Sequence, residues 1–110
     1  MKKSSLGKFE QLVLLALLRL GDNAYGVSIR REIEETGRQR TSFGAVYTTL
    51  DRMEAKGYVR SWTGDATPER GGRAKRYFKV TAAGASVLRR SVLAANAMTK
   101  GLDPLLGRAR

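Results

Sequence analysis

Residues Lys8 to Leu20 constrain the fold more than any other stretch. Phe9, Leu12, Val13, Leu14, Leu15, Ala16, Leu17, Leu18 and Leu20 leave a helix here almost no polar face. A helix that is apolar all round must be covered on all sides. A chain of 110 residues makes one domain with one core. Such a domain struggles to cover this helix alone, so a second subunit is expected to help. The unbroken apolar run, Leu12 to Leu18, ends at Arg19 with no small-residue cleavage site behind it. It is too short for a membrane span and wrong for a signal peptide.

Gly21 closes that helix, and Asp22-Asn23 offers the next N-cap. The pattern predicts a second helix over Tyr25 to Thr36, with Tyr25, Ile29 and Ile33 inward and Arg30 and Arg31 outward. Glu32, Glu34 and Glu35 load its C-terminal half with acid, which opposes the helix dipole and has no local explanation. Gly37 to Arg40 makes a short connection carrying Arg38 and Arg40.

A third helix lies within Thr41 to Gly57, with Thr41 or Ser42 as N-cap. Val46, Leu50 and Met53 form its inner stripe, with Phe43 beside them. The opposite face carries Gly44, Ala45, Thr48, Asp51 and Arg52. Small residues at a helix N-terminus permit close approach to another surface, and the free N–H groups there attract anions. Two helices joined by a short Gly-containing turn make a helix-turn-helix pattern. A helical bundle can produce the same pattern.

The segment after the third helix narrows the choice. Tyr58 to Thr63 and Arg76 to Thr81 are rich in β-branched and aromatic residues and read as two strands. The loop between them is glycine-rich and basic, with Arg70, Arg73 and Lys75 on or near its tip. A basic hairpin directly after a helix-turn-helix is the wing of a winged helix. Tyr58, Trp62 and Phe78 sit at strand spacing and suit packing better than stacking on single-stranded nucleic acid. Thr81 then caps a last helix from Ala82 to about Lys100, whose apolar stripe is approximated by Leu88, Val92, Ala95 and Leu102, with Ala85 extending it. This weak amphipath needs a partner, the nearest candidate being its own copy. Asp103-Pro104 breaks it and leaves a short tail.

The net charge of +11 makes nucleic acid the default partner. An anionic membrane surface fits less well, since no segment joins a cationic helix face to bulky apolar anchors. The chain has no Cys and no His, so disulfides, thiolate metal sites and the commonest general base are excluded. With no phosphate-loop pattern either, neither an enzyme nor a metal or cofactor protein is expected. An intracellular, cytoplasmic setting fits the lack of cysteine.

The Tyr25-Gly26 pair, the run Gly44-Ala45-Val46-Tyr47 followed by Leu50, Arg52, Glu54 and Gly57, and Arg76-Tyr77-Phe78 leading to Thr81 and Gly84 resemble the PadR-like family of bacterial transcriptional regulators. The resemblance spans Leu6 to Leu88. It implies an α+β, mainly α fold: a winged helix-turn-helix over residues 1–81 and a C-terminal dimerisation helix and tail over 82–110. It further implies a homodimer on double-stranded DNA with a palindromic operator, often repressing, nucleoid-associated when bound. In some members a small hydrophobic or aromatic effector releases the DNA; the last helix here has no aromatic residue on which to stack one.

The candidate DNA-contacting residues are Tyr25, Arg38 and Arg40, then Ser42, Gly44, Ala45, Tyr47, Thr48 and Arg52 of the third helix. Arg70, Arg73 and Lys75 join them from the wing. Leu12, Leu15, Leu88, Val92 and Ala95 are the candidate dimer interface. The competing reading is a basic module that binds RNA or anionic surfaces without sequence preference.

Overall fold

A computed structural model describes residues 6–64 and 74–106. Its first helix, α1 (Lys8–Leu20), is the hub. Val13 and Leu14 are wholly buried, and Ala16 and Leu17 nearly so, because α2, α3, β2 and α4 all pack on it. Glu10 closes the first turn by accepting the Gly7 N–H at 2.9 Å. Gly21 ends the helix at φ +61°, a left-handed conformation that costs glycine nothing sterically.

A tight turn at Gly21–Asn23 leads into α2 (Gly26–Glu35). Its N-terminus is set by Tyr25 and Ser28 rather than by Asp22 or Asn23. The Ser28 hydroxyl accepts the Tyr25 N–H at 3.0 Å and donates to the Asn23 carbonyl at 2.6 Å. Ile29 and Ile33 face the core as the periodicity requires, while Tyr25 is only half-buried. The acidic end of α2 now has an explanation in tertiary partners. Glu32 pairs with Arg19, and Glu34 accepts the Thr41 N–H at 3.1 Å and lies 3.5 Å from the Arg30 Nε. These contacts, worth about 0–1 kcal/mol for each exposed ion pair, are comparable to an exposed dipole effect of about 0.3–1 kcal/mol and offset it at Glu32 and Glu34.

After α2 the chain passes Arg38, the one described non-glycine residue at positive φ (+56°), and enters α3 (Phe43–Ala55). Ser42 is its N-cap and accepts the Ala45 N–H at 3.1 Å. Val46, Leu50 and Met53 are fully buried, and Thr49 joins them. Phe43 does not: it is 40% exposed. It occupies the first turn, beyond the reach of the core, and its ring lies under the Arg30 guanidinium, 4.6 Å from carbon to centroid.

Strands β1 (Val59–Thr63) and β2 (Arg76–Val80) pair antiparallel, with Val59 opposite Val80, Ser61 opposite Phe78 and Trp62 opposite Tyr77. Val59 and Phe78 point into the core. The hairpin does not stand alone. Phe78 donates its N–H to the Ala24 carbonyl at 3.0 Å, and Tyr25 bridges to Tyr77, so the residues before α2 act as a short third strand. Arg76 ties the hairpin to α3 through Glu54 at 2.8 Å and Asp51 at 3.4 Å.

Thr81 caps α4 (Ala82–Thr99) by accepting the Gly84 N–H at 3.1 Å. A side chain at 84 would strike the Tyr58 carbonyl, 2.2 Å from the built β-carbon, which is why glycine stands there. The expected outer stripe of α4 is split. Leu88 is 4% exposed and belongs to the core of its own chain, Val92 leans on that core, and Ala95 is exposed. From Leu93 to Met98 every residue of α4 is exposed, Leu93 at 58% and Met98 at 77%. Asp103–Leu106, expected to be irregular tail, forms a further helical turn, α5. Proline fits the first turn of a helix, where its missing N–H is not needed. Among the described residues no helix is long and apolar enough to cross a membrane.

Candidate nucleic-acid interface

The tip of α3 is built for close approach. Gly44, Ala45 and Thr48 are exposed, and a β-carbon at 44 would meet only the Ser42 hydroxyl, at 3.8 Å. Arg38 and Arg40 of the preceding turn are both exposed and have no ion pair among the described residues. They lie beside the Ser42 cap, so their charge reinforces the anion-attracting N–H groups there.

Tyr47 sits one turn further along and half out of the domain, at 37% exposure. Its ring leans on Phe78, with centroids 6.4 Å apart. Its hydroxyl reaches over the first residue of α2: a β-carbon built at Gly26 would lie 2.0 Å from the hydroxyl oxygen. Only glycine leaves room for it. No described residue hydrogen-bonds that hydroxyl.

The same place is the mouth of an open cleft of about 530 Å³, lined by Tyr25, Gly26, Val27, Tyr47, Ala74, Lys75 and Arg76. It lies between the start of α2, the middle of α3 and the base of the wing. Tyr25 organises its far wall. The Lys75 ammonium lies 3.8 Å from the Tyr25 ring centroid, and Tyr77 meets that ring edge-on at 5.7 Å. Tyr77 in turn stacks on Trp62, and the Arg60 guanidinium lies over the indole at 5.4 Å. The cleft thus presents an ammonium, a phenolic hydroxyl and the N-terminus of a helix together, a set suited to phosphate.

Arg52 is placed differently. Its Nε lies 3.0 Å from the Glu10 carboxylate, which also takes the Lys56 ammonium at 3.4 Å. Burial alone would raise the Glu10 carboxyl, but the Gly7 N–H, Arg52 and Lys56 outweigh it and hold it below its ordinary value. Glu10 therefore stays ionised and joins the start of α1 to the end of α3. In sequence it was hidden as the lone acid of an apolar helix, and no local pattern announces partners so far along the chain. Arg30, which holds both Phe43 and Thr41, was equally invisible as a site residue. Arg70 and Arg73 lie outside the described residues.

On the other side of the domain, Leu12 and Leu15 line a groove of about 320 Å³ with Ala16, Ile33 and the Arg19–Glu32 pair. Both leucines are half-buried, and the groove runs between α1 and α2. The Ser91 hydroxyl fastens α4 to α1 by donating to the Gln11 side chain at 2.8 Å.

The sequence model of the transcriptional regulator PadR-like family matches residues 14–90. No curated protein matches the chain. Among solved structures, a PadR family transcription regulator from a hypervirulent Clostridium difficile superposes with a TM-score of 0.73 at 23% identity, over 91% of this chain and 99% of that one. A PadR-like transcriptional regulator from Bacillus cereus gives 0.72 at 18% identity, over 92% and 93%. A PadR family regulator from Eggerthella lenta gives 0.68 at 24% identity, over 90% and 84%. These likenesses confirm the winged-helix fold, and the family match covers well over half of the sequence. The chain belongs to the PadR-like family of transcriptional regulators, and is a DNA-binding regulator and not an enzyme.

Proposed function

We propose that the protein is a repressor that binds a palindromic operator as a homodimer in the bacterial cytoplasm, on the nucleoid. The observation that carries the reading is the convergence at Gly26. The Tyr47 hydroxyl, the start of α2 and the Lys75 ammonium meet in one cleft, next to the exposed, small-residue tip of α3. A phosphate in that cleft would fix the register of α3, leaving Ser42, Gly44, Ala45 and Thr48 at base edges in the major groove. Tyr25 shapes the cleft, Arg38 and Arg40 reach neighbouring phosphates, and Arg70, Arg73 and Lys75 hold the backbone beside the wing. Arg52 is the outlying member, holding α3 in place through Glu10 while its exposed edge faces phosphate.

In this reading residues 1–81 carry DNA binding and 82–110 carry dimerisation. The support is the exposed run from Leu93 to Met98 together with the half-buried Leu12 and Leu15 on α1. An isolated helix end of this length is marginal in water, so a second copy is its natural cover, with Val92 and Ala95 at the seam. A small hydrophobic or aromatic effector that releases the DNA belongs to the same reading. The α1–α2 groove, apolar along Leu12, Leu15, Ala16 and Ile33, supports it.

The test is a salt titration on a specific and a random duplex. About four phosphate contacts per subunit give a log–log slope of roughly −7. The specific duplex should be preferred by about a thousandfold or more. Equal affinity for random DNA or RNA would favour an unspecific basic module instead.

A further inference from the structure

We infer that Phe43 reads sequence, by packing its ring against a thymine methyl in the major groove. The inference rests on the reading that the tip of α3 enters that groove, and it names one contact made there.

Phe43 is the first residue of α3, yet its ring is 40% exposed, whereas Val46, Leu50 and Met53 of the same helix are fully buried. One face of the ring is occupied. The Arg30 guanidinium carbon lies 4.6 Å from the centroid, and Arg30 is itself held by donating from Nε to the Thr41 carbonyl at 2.9 Å. The rest of the ring looks out, into a shallow cleft of about 290 Å³ shared with Val27, Arg30, Arg31, Glu34 and Glu35. Val27, 41% exposed, is the other apolar side chain there; the remaining lining residues are charged.

Its neighbours decide what it meets. Gly44 and Ala45 come directly after Phe43 and leave the helix tip without bulk, so a groove floor can come close. Glu34 is occupied by Arg30 and the Thr41 N–H. Arg31 and Glu35 are both exposed on the same cleft, and with Arg30 and Glu34 they leave it without a net charge to draw the ring to the backbone. An exposed apolar ring gains nothing from a phosphate and suits an apolar group on the base edges. The major groove offers one apolar group on those edges, the thymine C5 methyl. Arg30 acts here as a positioning residue, fixing the ring before DNA arrives.

The experiment uses the full chain. An operator is first enriched from a random duplex pool, and each thymine is then replaced by deoxyuridine, which removes the methyl and nothing else. The expected result is one thymine per half-site whose replacement weakens binding about fourfold, the worth of one methyl taken from water. With Phe43→Ala that penalty vanishes, while the salt dependence stays as in the parent. With Phe43→Leu, which keeps an apolar surface, part of it remains. Should Phe43→Ala fail to fold, the uracil scan of the parent and of Phe43→Leu decides. An enriched operator that tolerates uracil everywhere overturns the Phe43 contact and leaves the regulator reading intact. So does a Phe43→Ala protein with the parent's uracil penalty. A parent that enriches no sequence overturns both.

Discussion

The Tyr47 hydroxyl lies so close over Gly26 that a β-carbon there would be 2.0 Å away. Two helices of the DNA-binding unit are thereby fitted to one another through a single missing methyl. Gly26→Ala should force the half-exposed ring outward at little cost, or, if the ring holds, push α2 aside at about 1–3 kcal/mol of stability, as overpacking does. Removing the ring in Gly26→Ala/Tyr47→Ala should recover most of the clash. A double-mutant cycle that comes out additive, read by denaturant unfolding, would refute the fit.

Tyr47→Phe separates the ring from the hydroxyl. The ring keeps its place beside Phe78, and no described residue loses a hydrogen bond. Melting temperature should therefore change little. A lost hydrogen bond to a charged phosphate is worth about 1.5–3 kcal/mol, so DNA affinity should fall more than tenfold. Parent-like operator binding by Tyr47→Phe would make Tyr47 a packing residue.

Glu10 should make the fold acid-sensitive. Its carboxyl is held below the ordinary 4.5 in the folded chain. Its stabilisation is thus complete above the unfolded value and is lost as pH falls through the folded one. Melting temperature tracked from pH 6 downward should drop less steeply in Glu10→Gln than in the parent below about pH 4.5. Identical acid profiles would show that the Arg52 and Lys56 contacts carry no stability.

Thr48 is exposed beside the small residues of the α3 tip. Thr48→Ala should narrow the preference for operator over random duplex by about 1–3 kcal/mol per lost base contact. Random-duplex affinity should hold. Equal losses on both duplexes would move Thr48 to the backbone-holding set.

Leu93→Glu and Met98→Glu place charge on the part of α4 that stands clear of the domain. Both proteins should run as monomers by light scattering at micromolar concentration, with the core intact and only the helix signal of the uncovered α4 end reduced in circular dichroism. A parent that is itself a soluble monomer under those conditions would end the dimer proposal.

Sequence showed what is local and hid what is not. The bounds of α1 were legible because its apolar run stops at a glycine, and the Ser42 cap because serine satisfies a free N–H three residues on. Phe43 was misplaced because periodicity assigns a face to every residue and cannot say where along the helix the core ends. Leu88 was assigned outward for the converse reason: it shares a stripe with Ala95, but only the first half of α4 lies on the domain. Arg52 was read as free because its partner stands 42 residues away on another helix. The strands were visible in their β-branched and aromatic content, but not the pairing of Phe78 with Ala24 that anchors them.

In the proposed mode of binding, that anchoring would make the wing and the two helices a caliper with a set gap. Phe78 bonded to Ala24, Tyr25 bridged to Tyr77 and Arg76 held by Glu54 resist sliding of the wing base against α2 and α3. A duplex bound in that mode, lying across all three, would have to bring its phosphates to the jaws. Part of the selectivity would pass from hydrogen bonds to mechanics. Sequences that bend cheaply at pyrimidine–purine steps would be favoured at base pairs that no side chain reaches.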